Sequence, residues 1–464
     1  MRRSLSLLVL AAFASGCRVP PRGGLDDVAR LLSARGAPQL RWNQILEEDV
    51  AAGHAIDLLL AAELTPASAV EIALVGSPMV QATLERLGVA QADAVQAGLL
   101  KNPTFGVHPG LPIGSPSWSG VAWEVSLALD ILDLFVLPLR KKLARLEFER
   151  ARLLVASDLW TVVTDVRNAY YEAIAAAQRS ALQRTIADSA ELGADFSRRR
   201  EHAGAASELS LATEQGVYVQ ARIDLVRAER DATATRERLV RAMGLWSMHD
   251  RIKLPARLPL PPGSELAVDR LESRAMQQRL DLQAAEREAE TFERAVKMAK
   301  GTRFLTGLSI GGDAHREADR GYKIIGPSLA IELPIFDQGQ ARIAKLVSET
   351  RRARRQADAL ATEIRSHVRE RASGLLVARS LSDYLGQVVV PLRERTVALA
   401  QQQYNAMLIG LPQLLLAKQS ETEAWRDYVD SVRDYWVARA ELERAVGGPL
   451  DGTSDTPAPM EMTR

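Results

Sequence analysis

The chain has 464 residues, a length equivalent to roughly three average domains. Lys and Arg number 59 against 58 Asp and Glu, so there is no basic excess of the kind a nucleic-acid binder carries, and 47% hydrophobic with 25% charged residues excludes a disordered chain. The single cysteine, Cys17, excludes an intrachain disulfide and a Cys-based zinc site. His54, His108, His202, His249, His315 and His367 stand singly without ligand spacing, and no P-loop, dinucleotide fingerprint or HExxH is present, so neither enzyme chemistry, cofactor nor metal is expected.

Arg2 and Arg3 precede a ten-residue apolar run, Leu5 to Ala14, too short for the ~20 residues of a bilayer-spanning helix. Ala14-Ser15-Gly16-Cys17 follows and resembles a bacterial lipobox, with Ala14 where leucine is usual. Residues 1–16 thus read as a lipoprotein signal peptide, Cys17 as the lipidated first residue, and 17–63 as an N-terminal extension. Residue 18 is Arg, not the Asp that would commonly retain a lipoprotein at the inner membrane. No later segment is continuously apolar for a helical span. A membrane protein of this kind is lipid-anchored, a β-barrel, or both.

From residue 64 the chain reads as one unit written twice. A helix is predicted over 66–100, with Pro66 in its first turn. Two extended stretches follow, about 103–113 and 121–131, and then a long helix from about Pro138. A glycine break near Gly204 and a further helix close the first repeat, 64–250. Residues 251–264 form a proline-rich linker. The second repeat, 265–447, has a helix to about 300, strands at about 302–313 and 323–335, and a long helix from near Gln338 that breaks near Gly410. The tail, 448–464, is predicted to be disordered.

Val121, Trp123, Val125, Leu127, Leu129 and Ile131 alternate with Ala122, Glu124, Ser126, Ala128 and Asp130. Leu329, Ile331, Leu333 and Ile335 alternate with Ser328, Ala330, Glu332 and Pro334. Phe304, Thr306, Leu308 and Ile310 share one face, as do Phe105, Val107, Pro109, Leu111 and Ile113. One apolar and one small or polar face over about ten residues is the pattern of a transmembrane strand. A half-buried soluble sheet shows the same alternation. The long helices argue against a compact ball and for a fibre, a bundle or a tube: about 65 residues from Pro138 would extend ~100 Å. Leu143, Leu146, Leu153, Leu159, Val162, Val166, Tyr170 and Ala173 recur at coiled-coil-like steps, as do Ile343, Leu346, Leu360, Ile364, Val368, Leu375, Leu385, Val388 and Leu392.

The order of helix, strand pair and long helical hairpin, twice over, resembles the TolC-like outer membrane efflux proteins across about residues 64–447. Leu64-Thr65-Pro66-Ala67-Ser68-Ala69-Val70-Glu71-Ile72-Ala73-Leu74 with Ser77-Pro78 is similar to the family's opening, echoed by Arg279-Leu280-Asp281-Leu282 in the second repeat. Gly98 to Thr104 resembles its entry into the first strand, and Leu333-Pro334-Ile335-Phe336-Asp337-Gln338-Gly339-Gln340-Ala341-Arg342 its strand-to-helix junction. Gly204 to Leu211 resembles its first hairpin tip, and Tyr404 to Ala417 its second. At the second tip a glycine is usual where Met407 stands, and the positions of the tip aspartates that some members carry hold Gln413 and Leu416.

The resemblance implies a mainly α fold with a small β part and a homotrimer. Each chain would give four strands to a shared transmembrane β-barrel and its helical hairpins to a periplasmic α-barrel. Strand physics agrees that several chains must share one barrel, since four strands cannot close one, but does not choose between two chains and three. The implied function is passive conduction of solute from an inner-membrane pump and a periplasmic adaptor out through the outer membrane. The small and polar strand residues Glu124, Ser126, Asp130, Ala330 and Glu332 are the pore-lining candidates. Gly204, Ser207, Leu209, Leu211, Tyr404, Gly410, Leu411, Leu414 and Leu415 are the candidates for the hairpin tips, the entrance and adaptor docking, with glycine's tolerance of positive φ setting both breaks. A lipid-anchored helical scaffold or adhesin without a pore would account for Cys17 and the helical stripes, but not for four alternating strands placed symmetrically in two repeats.

Overall fold

The computed structural model describes residues 19–110, 122–246, 251–263, 270–304, 307–316 and 323–450. The signal segment, Cys17 and the tail from 451 therefore lie outside the described residues, as do positions 111–113 of the first predicted strand. The N-terminal extension is helical, with α1 at Leu25–Ser33 and α2 at Leu46–Ala61. The first repeat then runs α3 (Pro66–Gly76), α4 (Pro78–Ala97), β1 (Thr104–Gly110), β2 (Ala122–Asp130), α5 (Leu132–His202) and α6 (Glu208–Ala242). The second runs α7 (Leu271–Gln278), α8 (Leu280–Gly301), β3 (Leu308–Arg316), β4 (Lys323–Ile331), α9 (Gln340–Tyr384), α10 (Val390–Asn405) and α11 (Leu411–Val446).

Several predicted elements need correction, each for a local reason. The helix expected over 66–100 is two helices, broken at Ser77 because Pro78 cannot continue the preceding turn. The second repeat breaks likewise at Arg279, whose ψ of 116 is extended. The third strand starts at Leu308 rather than near 302, because the helical turn persists through the Thr302 N–H bond to the Met298 carbonyl. The fourth strand stops at Ile331, short of 335: Pro334 offers no N–H, and Ile335 turns back onto the Leu333 carbonyl. Glu332 thus lies just beyond the sheet. The first long helix begins at Leu132 and carries Pro138 inside it. The second contains a π turn, Leu385–Val389, immediately before Pro391, whose missing N–H and ring disrupt the i to i−4 ladder.

The four strands form one antiparallel sheet in the order β1-β2-β3-β4. They belong to a unit comprising residues 1–25, 85–155 and 281–360. The second unit comprises residues 26–84, 156–280 and 361–464. Its core holds Leu64, Ile72, Leu74, Leu84, Leu159, Ile174, Leu239 and Tyr435. An aromatic group sits in it: the Tyr171 and Trp436 rings stack with centroids 5.2 Å apart, with Tyr170 and Tyr435 edge-on. The Tyr170 hydroxyl donates to the Leu64 carbonyl and the Trp436 indole to the Pro259 carbonyl, so both polar tips are satisfied. The proline-rich linker is a packed strap here. Leu258 and Ile252 are buried, and the Leu258 N–H bonds Gln178 Oε1 at 3.1 Å.

Candidate pore wall and hairpin tips

The register sorts the strand residues into two faces. Phe105 stands opposite Leu127, Val107 opposite Val125, Leu129 opposite Ile310, and Ile310 opposite Leu329. Leu127 is 54% exposed and Leu329 62%, so this apolar face finds no cover within the chain. Its outer end carries Trp123, Arg316 and Lys323 in one cross-strand row. Nine residues of β2, at ~3.3 Å each and a tilt of ~40°, span about 23 Å, which matches the ~25 Å apolar band of a membrane barrel.

The opposite face carries Glu124, Ser126, Asp130 and Ala330, with Asp130 opposite Ser309 and Ser309 opposite Ala330. These four predicted residues therefore share a face, while Glu332 continues the chain past it. Asp130 is not a free charge: Lys101 Nζ lies 3.0 Å from Oδ2. Sequence reasoning missed His108, His315 and Asp313 on this face. His108 pairs with Glu124, and Glu124 with His315, in a single row. Only the register of β1 on β2 and of β2 on the distant β3 reveals it.

Below the sheet, Asp133 and Arg140 lock the exit from β2 to the entry into β1. Arg140 Nη1 donates to Asp133 Oδ1 at 2.8 Å, and its remaining donors reach the Ala97 and Leu99 carbonyls. The Lys101 N–H donates to Asp133 Oδ2 at 3.1 Å. Burial alone would raise the Asp133 carboxyl, but the Arg140 hydrogen bond, the Lys101 N–H and the two cations outweigh it and hold it below its ordinary value.

The two tips are built alike. At the first, Gly204 has φ of 70; its N–H bonds the Glu201 carbonyl and the Ala205 N–H the Arg200 carbonyl, a Schellman closure. At the second, the Met407 N–H bonds the Tyr404 carbonyl and the Leu408 N–H the Gln403 carbonyl, with φ of 61 at Met407. The residue equivalent to Gly204 is therefore Met407, not Gly410. Gly410 has φ of −86 and is the N-cap of α11, as Ser207 is of α6, where Ser207 Oγ accepts from the Ser210 N–H. Pro412 stands in the first turn of α11, the position where its missing donor costs nothing. Leu209 is 77% exposed, Leu211, Tyr404 and Leu411 are half-buried, and Leu414 is buried. Leu415 lines a groove of about 220 Å³ with Ile186, Glu214, Val217 and Lys418.

Among the described residues no three His, Cys, Asp or Glu side chains converge to hold a metal ion, and no single helix is long and apolar enough to cross a membrane. Residues 69–245 match the family described as outer membrane efflux protein. The cobalt-zinc-cadmium resistance protein CzcC of Cupriavidus metallidurans is 24% identical over 310 residues, 64% of this chain and 72% of CzcC. A membrane protein from Pseudomonas aeruginosa superposes with a TM-score of 0.67 at 21% identity, over 82% of this chain and 92% of that one. The outer membrane protein VceC from Vibrio cholerae gives 0.66 at 17% identity, over 86% and 97%. The match over residues 69–245, with the duplicated strand pair, the twin hairpins and the uncovered apolar sheet face, makes this chain similar to the outer membrane efflux proteins, a transport family, and gives it the fold of TolC-like channels.

Proposed function

We infer that three copies of this chain assemble into a single outer membrane exit duct. It receives solute from an inner-membrane pump through a periplasmic adaptor and conducts it passively outward. The observation that carries this reading is the sheet: four strands, one exposed face that is apolar up to the Trp123, Arg316 and Lys323 row at its outer end, and outer edges on β1 and β4 without partners among the described residues. Such edges are not tolerated in lipid, so copies must join edge to edge, and three supply twelve strands. The helices support self-association too. Leu381, Tyr384, Val388, Leu392 and Leu399 leave an exposed stripe at heptad-like steps, and Val219, Ile223 and Val226 leave another. A pore-free scaffold offers no use for the apolar sheet face.

In this reading Glu124, Ser126, Asp130 and Ala330 line the pore, Glu332 stands at its rim, and the tip residues meet the adaptor. Cys17 supplies a second, acyl attachment to the outer membrane, supported by the residues around it. The likeness to CzcC favours divalent metal ions as cargo. Purified protein reconstituted in planar bilayers should give discrete conductance steps, and cysteines placed on the outer edges of β1 and β4 should crosslink into trimers. Absence of both would refute the duct.

A further inference from the structure

The row His108, Glu124, His315 lies on the sheet face assigned to the pore, and it differs chemically from the rest of that face. Its neighbours two residues away are small except for one carboxylate: Gly106 opposite Ser126, Ser126 opposite Asp313, and Asp313 opposite Gly326. A Cβ at Gly106 would come within 3.3 Å of the His108 ring and 2.7 Å of Ser126 Oγ, so glycine leaves both side chains room there. Two of the chain's six histidines thus occupy one level, one from the first strand of each repeat, flanking a carboxylate. Directly opposed residues place their Cβ atoms about 5 Å apart, so each imidazole can share a ligand with Glu124.

We propose that His108, Glu124 and His315 form a weak binding band for divalent transition-metal cations inside the pore. The inference rests on the trimeric pore. Repeated by threefold symmetry, the row gives a belt of imidazoles and carboxylates at one depth. Imidazole selects Zn, Ni and Co over the hard cations Mg and Ca, which prefer all-oxygen surroundings. The side chains do not converge into a closed three-ligand site within one chain, and that openness suits transit: a conduit must bind strongly enough to admit an ion and weakly enough to release it. Asp313, on the same strand and face as His315, adds a second carboxylate one step along the path.

The test is single-channel recording of the reconstituted trimer with NiCl2 or MgCl2 added. Ni2+ should reduce the conductance at a concentration at least about ten-fold below that needed of Mg2+. The double variant His108→Ala, His315→Ala should still assemble and, measured against its own conductance in KCl, lose the Ni2+ preference. Glu124→Gln should weaken the response to both cations. Titration of Co2+ into the detergent-purified trimer, followed by its visible absorption, gives a readout independent of conduction and should lose its signal in the double variant. Equal sensitivity to Ni2+ and Mg2+, or unchanged Ni2+ sensitivity in the double variant, would overturn the proposal while leaving the pore intact. A wild-type protein that conducts nothing would instead overturn the pore reading, and the band with it.

Discussion

Arg35 Nε donates to the Gly447 carbonyl at 2.7 Å, tying the N-terminal extension to the end of the last helix. The same guanidinium donates through Nη1 to the Leu31 carbonyl at 2.6 Å and through Nη2 to the Gln278 carbonyl at 2.7 Å. Gly447 caps α11 with φ of 83, and Gln278 ends α7, so two of the three acceptors are helix-end carbonyls that their own helices cannot satisfy. A planar, permanently charged fork answers both the geometry and the negative ends of the helix dipoles.

Arg35→Ala should therefore cost roughly 2–3 kcal/mol, since it removes charge-assisted bonds and leaves buried acceptors unpaired. Arg35→Lys should recover only part of this, because an ammonium cannot reproduce the fork. The denaturation midpoint and the rate of proteolysis within residues 26–61 are the readouts. A wild-type proteolysis rate in Arg35→Ala would show that the extension is held by its apolar contacts alone.

The Asp133 knot predicts an acid-sensitive junction beneath the sheet. Its carboxyl binds a proton less readily folded than unfolded. Its contribution is therefore complete above the ordinary carboxylate range and lost as pH falls from about 4 downward. Asp133→Asn should lower stability at neutral pH and flatten the acid limb of the stability profile. An acid limb of unchanged steepness in this variant would assign the acid sensitivity to other carboxylates.

Much of this fold is written in local pattern. The alternation from Val121 to Ile131 declares β2 because period two needs no knowledge of a partner, and Pro78 marks the bend after Ser77 by its own stereochemistry. What escapes sequence reading is non-local or competitive. Nothing near His108 indicates that Glu124 will stand opposite it and His315 beyond Glu124, because the first register is set across the β1–β2 connection and the second by strands about two hundred residues apart. At the second tip a glycine at 410 suggested the left-handed position. The chain instead places that strain on Met407, because the Schellman closure is counted from the end of α10 and Gly410 is taken as the next N-cap.

Met407 is 92% exposed, so its side chain contributes no packing to offset its left-handed backbone. Met407→Gly should stabilise the tip by about 0.5–1 kcal/mol, the relief of a left-handed L-residue less the greater chain entropy of glycine. Met407→Ile, β-branched, should destabilise it. Exchange at the Leu408 amide, which bonds the Gln403 carbonyl, reads the effect directly. Faster exchange in the glycine variant would contradict the assignment of strain.

The face assignment of the sheet gives a paired test. Leu127 and Ser126 are neighbours in β2 on opposite faces. An arginine on the lipid side near mid-bilayer costs roughly 2–4 kcal/mol, and far less in an aqueous lumen. Leu127→Arg should reduce membrane-inserted trimer, whereas Ser126→Arg should spare assembly and shift the ion selectivity of the pore toward anions. Equal loss of trimer in both variants would mean that the parity is inverted or that the sheet is not lipid-facing.

The tips give the last prediction. Leu414 is buried and Leu411 half-buried at the start of α11, directly after the second reversal, and Leu415 lines the adjoining groove facing Glu214 and Lys418. In the proposed duct, with Gln413 and Leu416 at the second tip rather than carboxylates, apolar packing would hold the resting entrance. Opening is then a shift between two packings of the hairpins, biased by whichever partner binds the open arrangement better. Leu411→Ser with Leu414→Ser removes apolar burial from the closed packing without touching the strands or the exposed stripe of α9 and α10. Basal conductance should rise while the trimer yield stays constant, and added adaptor should raise it further by a smaller factor than in the wild type, because less of the population remains closed. Wild-type conductance together with undiminished adaptor crosslinking would make the second tip an ordinary helix reversal and move the gate to another part of the helical wall.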